Sequence, residues 1–163
     1  MGAKGKEIVG VDVKKLLKLL NKAYADEWLA YYQYWVGAKL AKGPMREVVA
    51  RELEEHASDE LKHAGMLTGR IMQLGGEPLL APQDWYKNTN CGYDAPSNPK
   101  VNVLLKQNIK GERCAIFVYK KLAEFVKDKD VITYNMVLDI LKDEVEHEDD
   151  LETILEDIKS MGR

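Results

Sequence analysis

The sequence predicts an all-α protein, a four-helix bundle in which two helical hairpins are joined by a long crossover. Three observations carry that prediction. Apolar residues recur every three to four positions over four long stretches, Gly and Pro collect between those stretches, and one pattern of three ligand-type residues, a Glu followed by Glu-x-x-His, appears in each half of the chain.

The first helix is expected over about 12–42, where Leu16, Leu20, Tyr24, Glu27, Tyr31 and Tyr34 share a stripe, and Gly43-Pro44 ends it. A second is expected over about 45–74, with Val49, Leu53, His56, Glu60, His63, Leu67 and Ile71 inward and Gly75-Gly76 at its C-terminal end. Residues 75–98 contain Pro78, Pro82, Asn88, Asn90, Gly92, Pro96 and Ser97, show no helical period, and read as the crossover. Asn98 and Pro99 suit the N-cap and first residue of a third helix over about 99–127, with Leu105, Ile109, Glu112, Ile116, Tyr119 and Ala123 inward. A fourth, over about 130–161, turns Val137, Leu141, Glu144, His147, Leu151, Leu155 and Ile158 inward. Short loops within each pair make it an antiparallel, up-down hairpin. A linker of over 20 residues, at ~3.3 Å each, can run the length of a helix ~40 Å long. Residues 1–163 are expected to form one domain, long enough to bury one sizeable core.

Charged residues make up 31% of the chain, hydrophobic ones 45%, and the net charge is −3, a balance that points away from non-specific nucleic-acid binding. The segment Met1 to Gly10 lacks the apolar core of a signal peptide, and the longest uncharged run, Trp28 to Ala38, is too short for a bilayer. A cytoplasmic location is expected, with no membrane partner.

The repeated pattern is the chemistry-bearing feature. Glu27 is followed 33 residues later by Glu60-Leu61-Lys62-His63, and Glu112 is followed 32 residues later by Glu144-Val145-Glu146-His147. Glu and His at i, i+3 point the same way from a helix, so each half offers two carboxylates and one imidazole. Together Glu27, Glu60, His63, Glu112, Glu144 and His147 match the ligand set of a carboxylate-bridged di-metal site in a bundle core. A lone Glu-x-x-His arises often by chance. Four carboxylates on apolar stripes are another matter, because like charges crowded in low dielectric must titrate or be neutralised, and two divalent cations cancel four charges. Glu60 and Glu144 are expected to bridge, with Glu27 and His63 completing one ion and Glu112 and His147 the other. Iron, manganese and zinc all suit such donors. Tyr34, Asp59, Asp143 and His56 are candidate supporting groups, each equally readable as an ordinary surface acid or satisfied core polar residue.

Cys91 lies in the crossover. Cys114 follows Glu112 by two residues, about 200° round the helix, and so points out of the ligand cluster toward wherever the crossover lies. A disulfide there would stabilise by roughly 3 kcal/mol, whereas reducing cytosol usually keeps thiols free, and spacing leaves both states open.

With these residues in view, the chain resembles the ferritin superfamily over all four helices, which implies a ferritin-like four-helix bundle. The ligand pattern is similar to that of bacterioferritin, as is the segment Glu27-Trp28-Leu29-Ala30-Tyr31-Tyr32-Gln33-Tyr34. Leu61 stands where bacterioferritin carries its haem-ligating Met, so no haem is expected. The short fifth helix that lines the pores of 24-subunit cages does not follow Arg163 in this sequence. Cys91-Gly92-Tyr93, with Glu112-Arg113-Cys114, resembles the cysteine pair of the Dps-like thioferritins, which place a bacterioferritin-type centre inside each subunit of a twelve-subunit shell. The resemblance implies two iron ions per subunit and a hollow dodecamer that oxidises Fe(II) with hydrogen peroxide or O2 and deposits ferric mineral inside. It also implies a disulfide, redox-active or structural, beside the centre. DNA binding is not expected, since Met1 to Lys6 supplies only Lys4 and Lys6.

Two other functions share the pattern. A dimeric di-iron or di-manganese peroxidase, catalase or hydroxylase would use the same ligands without storing iron; a rubrerythrin would normally add a rubredoxin-like Cys-x-x-Cys module, absent from this sequence. A DNA-compacting shell whose acids hold no redox metal is the non-enzymatic alternative.

Overall fold

Helix periodicity and the turn residues between the periodic stretches set the architecture of the computed structural model, which describes residues 2–161. Met1, the first residue of the lysine-poor tail, and Arg163 lie outside the described residues. Four long helices make the bundle: α2 (Val13–Leu40), α3 (Arg46–Gln73), α5 (Val101–Val126) and α6 (Val131–Met161). Two short helices join them, α1 (Ala3–Glu7) and α4 (Pro82–Asn88). The expectation of four helices and a non-helical crossover is thereby corrected. Pro82 sits in the first turn of α4, where its missing N–H costs nothing, and seven residues are too few to show a period by themselves.

The helix ends follow local chemistry. The Asp12 side chain accepts a hydrogen bond from the Lys15 N–H at 3.1 Å, capping α2. At the end of α3 the Gly75 N–H reaches Met72 O and the Gly76 N–H reaches Ile71 O, with Gly75 at φ 81°, a left-handed closure that a Cβ would strain. Asn98 and Pro99 do not start the third long helix. Lys42 and Lys100 form a short parallel bridge, with the Lys42 N–H bonded to Pro99 O and the Val101 N–H to Lys42 O, and this pairing delays α5 until Val101.

Lys39 at the end of α2 pairs with Glu54 near the start of α3, so these two helices run antiparallel. Lys100, before α5, lies beside Lys42, after α2, so the crossover has travelled the length of the bundle. It is tied to α2 on the way: Asn21 bonds Glu77 O and the Leu79 N–H, Asp26 accepts the Asn90 and Cys91 N–H groups, and Gln33 accepts the Asp94 N–H. Trp85 of α4 stacks on Trp28 of α2 with ring centroids 5.0 Å apart.

The core is divided in two. One apolar cluster gathers Leu16, Leu20, Leu67, Ile71, Val126 and Ile140 at one end of the bundle, and another gathers Val49, Leu53, Leu104, Leu105, Leu151 and Leu155 at the other. The buried acids and histidines lie between them. No helix among the described residues is long and apolar enough to cross a membrane.

A buried ion pair fastens α3 to α6. Arg70 Nη2 reaches both carboxylate oxygens of Asp130, at 2.9 and 2.8 Å, and Arg70 Nε donates to Thr133 Oγ1 at 2.7 Å. Burial alone would raise the Asp130 pKa, but hydrogen bonds from Thr133 and Arg70 outweigh it and hold the carboxyl below its ordinary value. The depressed pKa means this stabilisation is present at neutral pH and is lost as acid takes the pH down through it. Arg70→Met strands a buried carboxylate and is expected to cost ~3–5 kcal/mol, read as a lower midpoint of urea unfolding; an unchanged midpoint would show that the pair adds nothing.

Candidate metal centre

Each of the four long helices sends one carboxylate into the layer between the two apolar clusters, because the Glu replaces a core residue in the helical stripe. Glu27 on α2, Glu60 and His63 on α3, Glu112 on α5, and Glu144 and His147 on α6 are all buried. Two groups emerge among them: Glu27, Glu60, His63 and Glu144, and Glu60, Glu112, Glu144 and His147, each with one ligand atom per residue within 4.8 Å of the others. Glu60 and Glu144 belong to both.

The imidazoles face inward through Nδ1. His63 Nδ1 lies 3.4, 3.5 and 3.2 Å from oxygens of Glu27, Glu60 and Glu144, and His147 Nδ1 lies 3.6 to 3.9 Å from Glu60, Glu112 and Glu144. Their Nε2 atoms face acids on the opposite hairpin. His63 Nε2 is 3.1 Å from Asp143, and His147 Nε2 is 3.6 Å from Asp59. An Nε2–H held by an aspartate leaves the Nδ1 lone pair for a metal.

The tyrosines cross over in the same way. Tyr34 of α2 donates its hydroxyl to Glu112 of α5, and Tyr119 of α5 donates to Glu27 of α2. Tyr119 has no functional role in the sequence reading, yet a signal was present: each tyrosine follows its helix's ligand Glu by seven residues. Asp26 and Gln33, which anchor the crossover beside the site, and Asn108, which accepts a hydrogen bond from Gln33, carry no such signal, since those partners are distant in the chain.

Whether these residues suit a metal can be judged from their unsatisfied atoms. Glu27 Oε2, Glu60 Oε1, His63 Nδ1, Glu144 Oε1 and His147 Nδ1 are buried and make no hydrogen bond among the described residues, and all five belong to the converging set. Buried acceptors left unpaired are costly, and a dication satisfies them together. The donor set of carboxylates with one imidazole per group fits two such ions.

Proton equilibria describe the same crowding. Burial and then the neighbouring Glu27 push Glu60 well above the ordinary carboxylate range; burial and Glu144 do the same to Glu112, and burial with Glu60 pushes Glu144 up to about 8. Glu27 is the exception: burial works upward on it as well, but His63 wins and brings it down. Burial opposes charge on His63, yet its three facing carboxylates overcome that and raise its pKa. His56 lies outside the six, with its ring stacked on His147 at 4.0 Å, and burial followed by the charge of His147 pushes its pKa down to about 3.

Cys91 and Cys114 are joined in a disulfide with Cα atoms 5.7 Å apart, tying the crossover to α5. Cys114 thus faces the crossover, as its position two residues after Glu112 predicts. The disulfide lines a cavity of about 450 Å³ that also touches Glu27, Glu60, Glu112 and Glu144, because the crossover roofs the gap between α2 and α5.

Residues 17–161 match the family described as ferritin-like domain. The chain is 36% identical over 151 residues to the DNA protection during starvation protein of Pyrococcus furiosus, covering 91% of this chain and 81% of that one. It is 27% identical over 140 residues to the bacterioferritin of Rhodobacter capsulatus, covering 85% and 81%. Among solved structures, a dodecameric thioferritin, the bacterioferritin-related protein of Bacteroides fragilis, superposes with a TM-score of 0.93 at 46% identity, covering 94% of this chain and 91% of that one.

Metal entering this layer must displace protons. With Glu144 held at about 8, binding of Zn(II) is expected to weaken about tenfold per pH unit below pH 8 for each proton displaced, and to release those protons. Calorimetry in buffers of different ionisation enthalpy measures both; binding indifferent to pH between 6 and 8 would show that the carboxylates titrate normally.

Proposed function

We propose, for a chain that belongs to the ferritin-like family, that it is an antioxidant ferroxidase and iron store: it oxidises Fe(II) with hydrogen peroxide, or O2, inside each subunit and deposits the ferric product within an oligomeric cage. The observation that carries this reading is the convergence of five unsatisfied buried ligand atoms on two overlapping groups that share Glu60 and Glu144. Iron is favoured over manganese or zinc by the family, and the twelve-subunit assembly by the Bacteroides fragilis relative.

The chemistry is a paired one-electron oxidation: two ferrous ions and one hydrogen peroxide, with two protons, become two ferric ions and two waters, and no hydroxyl radical escapes. The chain supplies placement and charge. Glu60 and Glu144 each belong to both groups and set the spacing of the two substrate ions. Tyr119 and Tyr34 each hold one oxygen of Glu27 and Glu112, which leaves the other oxygen to the site. Asp143 accepts the His63 Nε2–H, which keeps that ring's Nδ1 free, and Asp59 faces His147 Nε2 from 3.6 Å. The cavity under the crossover offers a route for a small oxidant to reach the carboxylates from the side of α2 and α5. The Cys91–Cys114 disulfide forms part of its wall and holds the crossover in place.

Glu60→Ala removes a carboxylate common to both groups. It is expected to lower the rate of peroxide-driven Fe(II) oxidation by at least about tenfold while leaving assembly intact, as judged by stopped-flow absorbance and size-exclusion chromatography. A wild-type rate in that variant would place the oxidation elsewhere, and a wild-type particle no larger than a dimer would exclude a storage cage.

A further inference from the structure

One cluster of metal-ligating side chains lies outside the paired centre. Glu52 and His56 are one turn apart on α3, and Asp150 faces them from α6. We propose that Glu52, His56 and Asp150 form a third site, for a divalent transition-metal ion, on the α3–α6 face of the bundle. His56 Nε2 lies 3.3 Å from Glu52 Oε1 and 3.9 Å from Asp150 Oδ2, and the three residues can bring one ligand atom each within 4.8 Å of one another.

Acids at a surface are common and would carry little by themselves. The imidazole is what distinguishes this cluster. His56 is 2% exposed, wedged between Tyr34, at a T-shaped angle to it, and the stacked ring of His147, and neither ring nitrogen makes a hydrogen bond among the described residues. A polar ring so deeply buried ordinarily finds a partner, and here its Nε2 is turned toward two carboxylates that solvent can still reach, Glu52 at 25% and Asp150 at 45% exposure. Two carboxylates and one imidazole are a donor set suited to a divalent ion, with room left for water.

The internal repeat supports an independent origin for the cluster. The offset of 84 residues that carries Glu60 to Glu144 and His63 to His147 carries Glu52 to Met136 and His56 to Ile140, and Asp150 answers to Met66. Those three counterparts belong to the apolar core or pack against it. The bundle therefore has no need of polar groups here, and the paired centre, which obeys the repeat, does not call for them. The cluster opens on a cleft of about 130 Å³ lined by six acids, with Lys62 as its one lysine, a field that draws cations toward it.

Co(II), which resists oxidation, serves as the probe. Equilibrium dialysis with metal analysis is expected to find one more tightly held Co(II) per subunit in the wild type than in the E52Q/D150N double variant or in H56Q, with both variants keeping the wild-type assembly. Equal counts in wild type and E52Q/D150N overturn the third site, and so does retention of the extra ion in H56Q, since the imidazole would then not be a ligand. Wild-type crystals soaked in Co(II) give a check that needs no variant: an anomalous peak enclosed by Glu52, His56 and Asp150 is expected, and its absence at saturation overturns the proposal. The paired centre is judged separately, by the ions that remain in the double variant; fewer than two per subunit would count against the ferroxidase reading and leave the comparison between variants untouched.

Discussion

Four buried carboxylates confined in one layer set the terms for the rest of this bundle. Glu27, Glu60, Glu112 and Glu144 are buried where core residues would otherwise stand, and the apolar core is split into two clusters to make room for them. Without compensation such a layer would swell or take up protons, as the raised pKa values of Glu60, Glu112 and Glu144 indicate. The apolar clusters on either side supply the burial that keeps the layer closed despite its cost. In the function proposed for the site, cations complete the balance, so that an electrostatic liability becomes a place to hold metal.

The supporting groups are exchanged between hairpins. Tyr34 and Tyr119 swap across α2 and α5, and Asp59 and Asp143 swap across α3 and α6. Each hairpin therefore orients the other's ligands, and the buried Arg70–Asp130 pair fastens the same two halves outside the layer. Neither hairpin alone holds a complete group, since both candidate metal-holding sets draw on residues from α3 and α6 together. The function proposed for the site thus depends on the packing of the two halves as much as on the ligands themselves.

The two open sides of the layer differ in chemistry. Toward α2 and α5 lies the larger cavity, closed by the crossover and the Cys91–Cys114 disulfide. Toward α3 and α6 lies a smaller acidic cleft that reaches His147 and ends at His56. A small neutral oxidant has no reason to avoid the first, while a cation is drawn to the second. The twofold repeat of the ligands is in this way set within surroundings that are not twofold.

Local rules made much of this legible in the sequence. The four long helices and the stripes that carry the six ligand candidates follow from helical periodicity, which depends only on nearby residues. The short helix α4 did not, because seven residues show no period, and neither did the delayed start of α5, because Lys42 pairs with Lys100 across 58 positions of chain. Asp26, Gln33 and Asn108 were silent for the same reason: their roles exist only once the crossover is laid along α2. The sequence by itself determined which side chains share a helix face, since rise and turn per residue are constants of the backbone. Only the tertiary structure decided which face meets which, pairing the cysteines, crossing the tyrosines and stacking His56 on His147, because those contacts depend on how four rods pack and no local spacing encodes it.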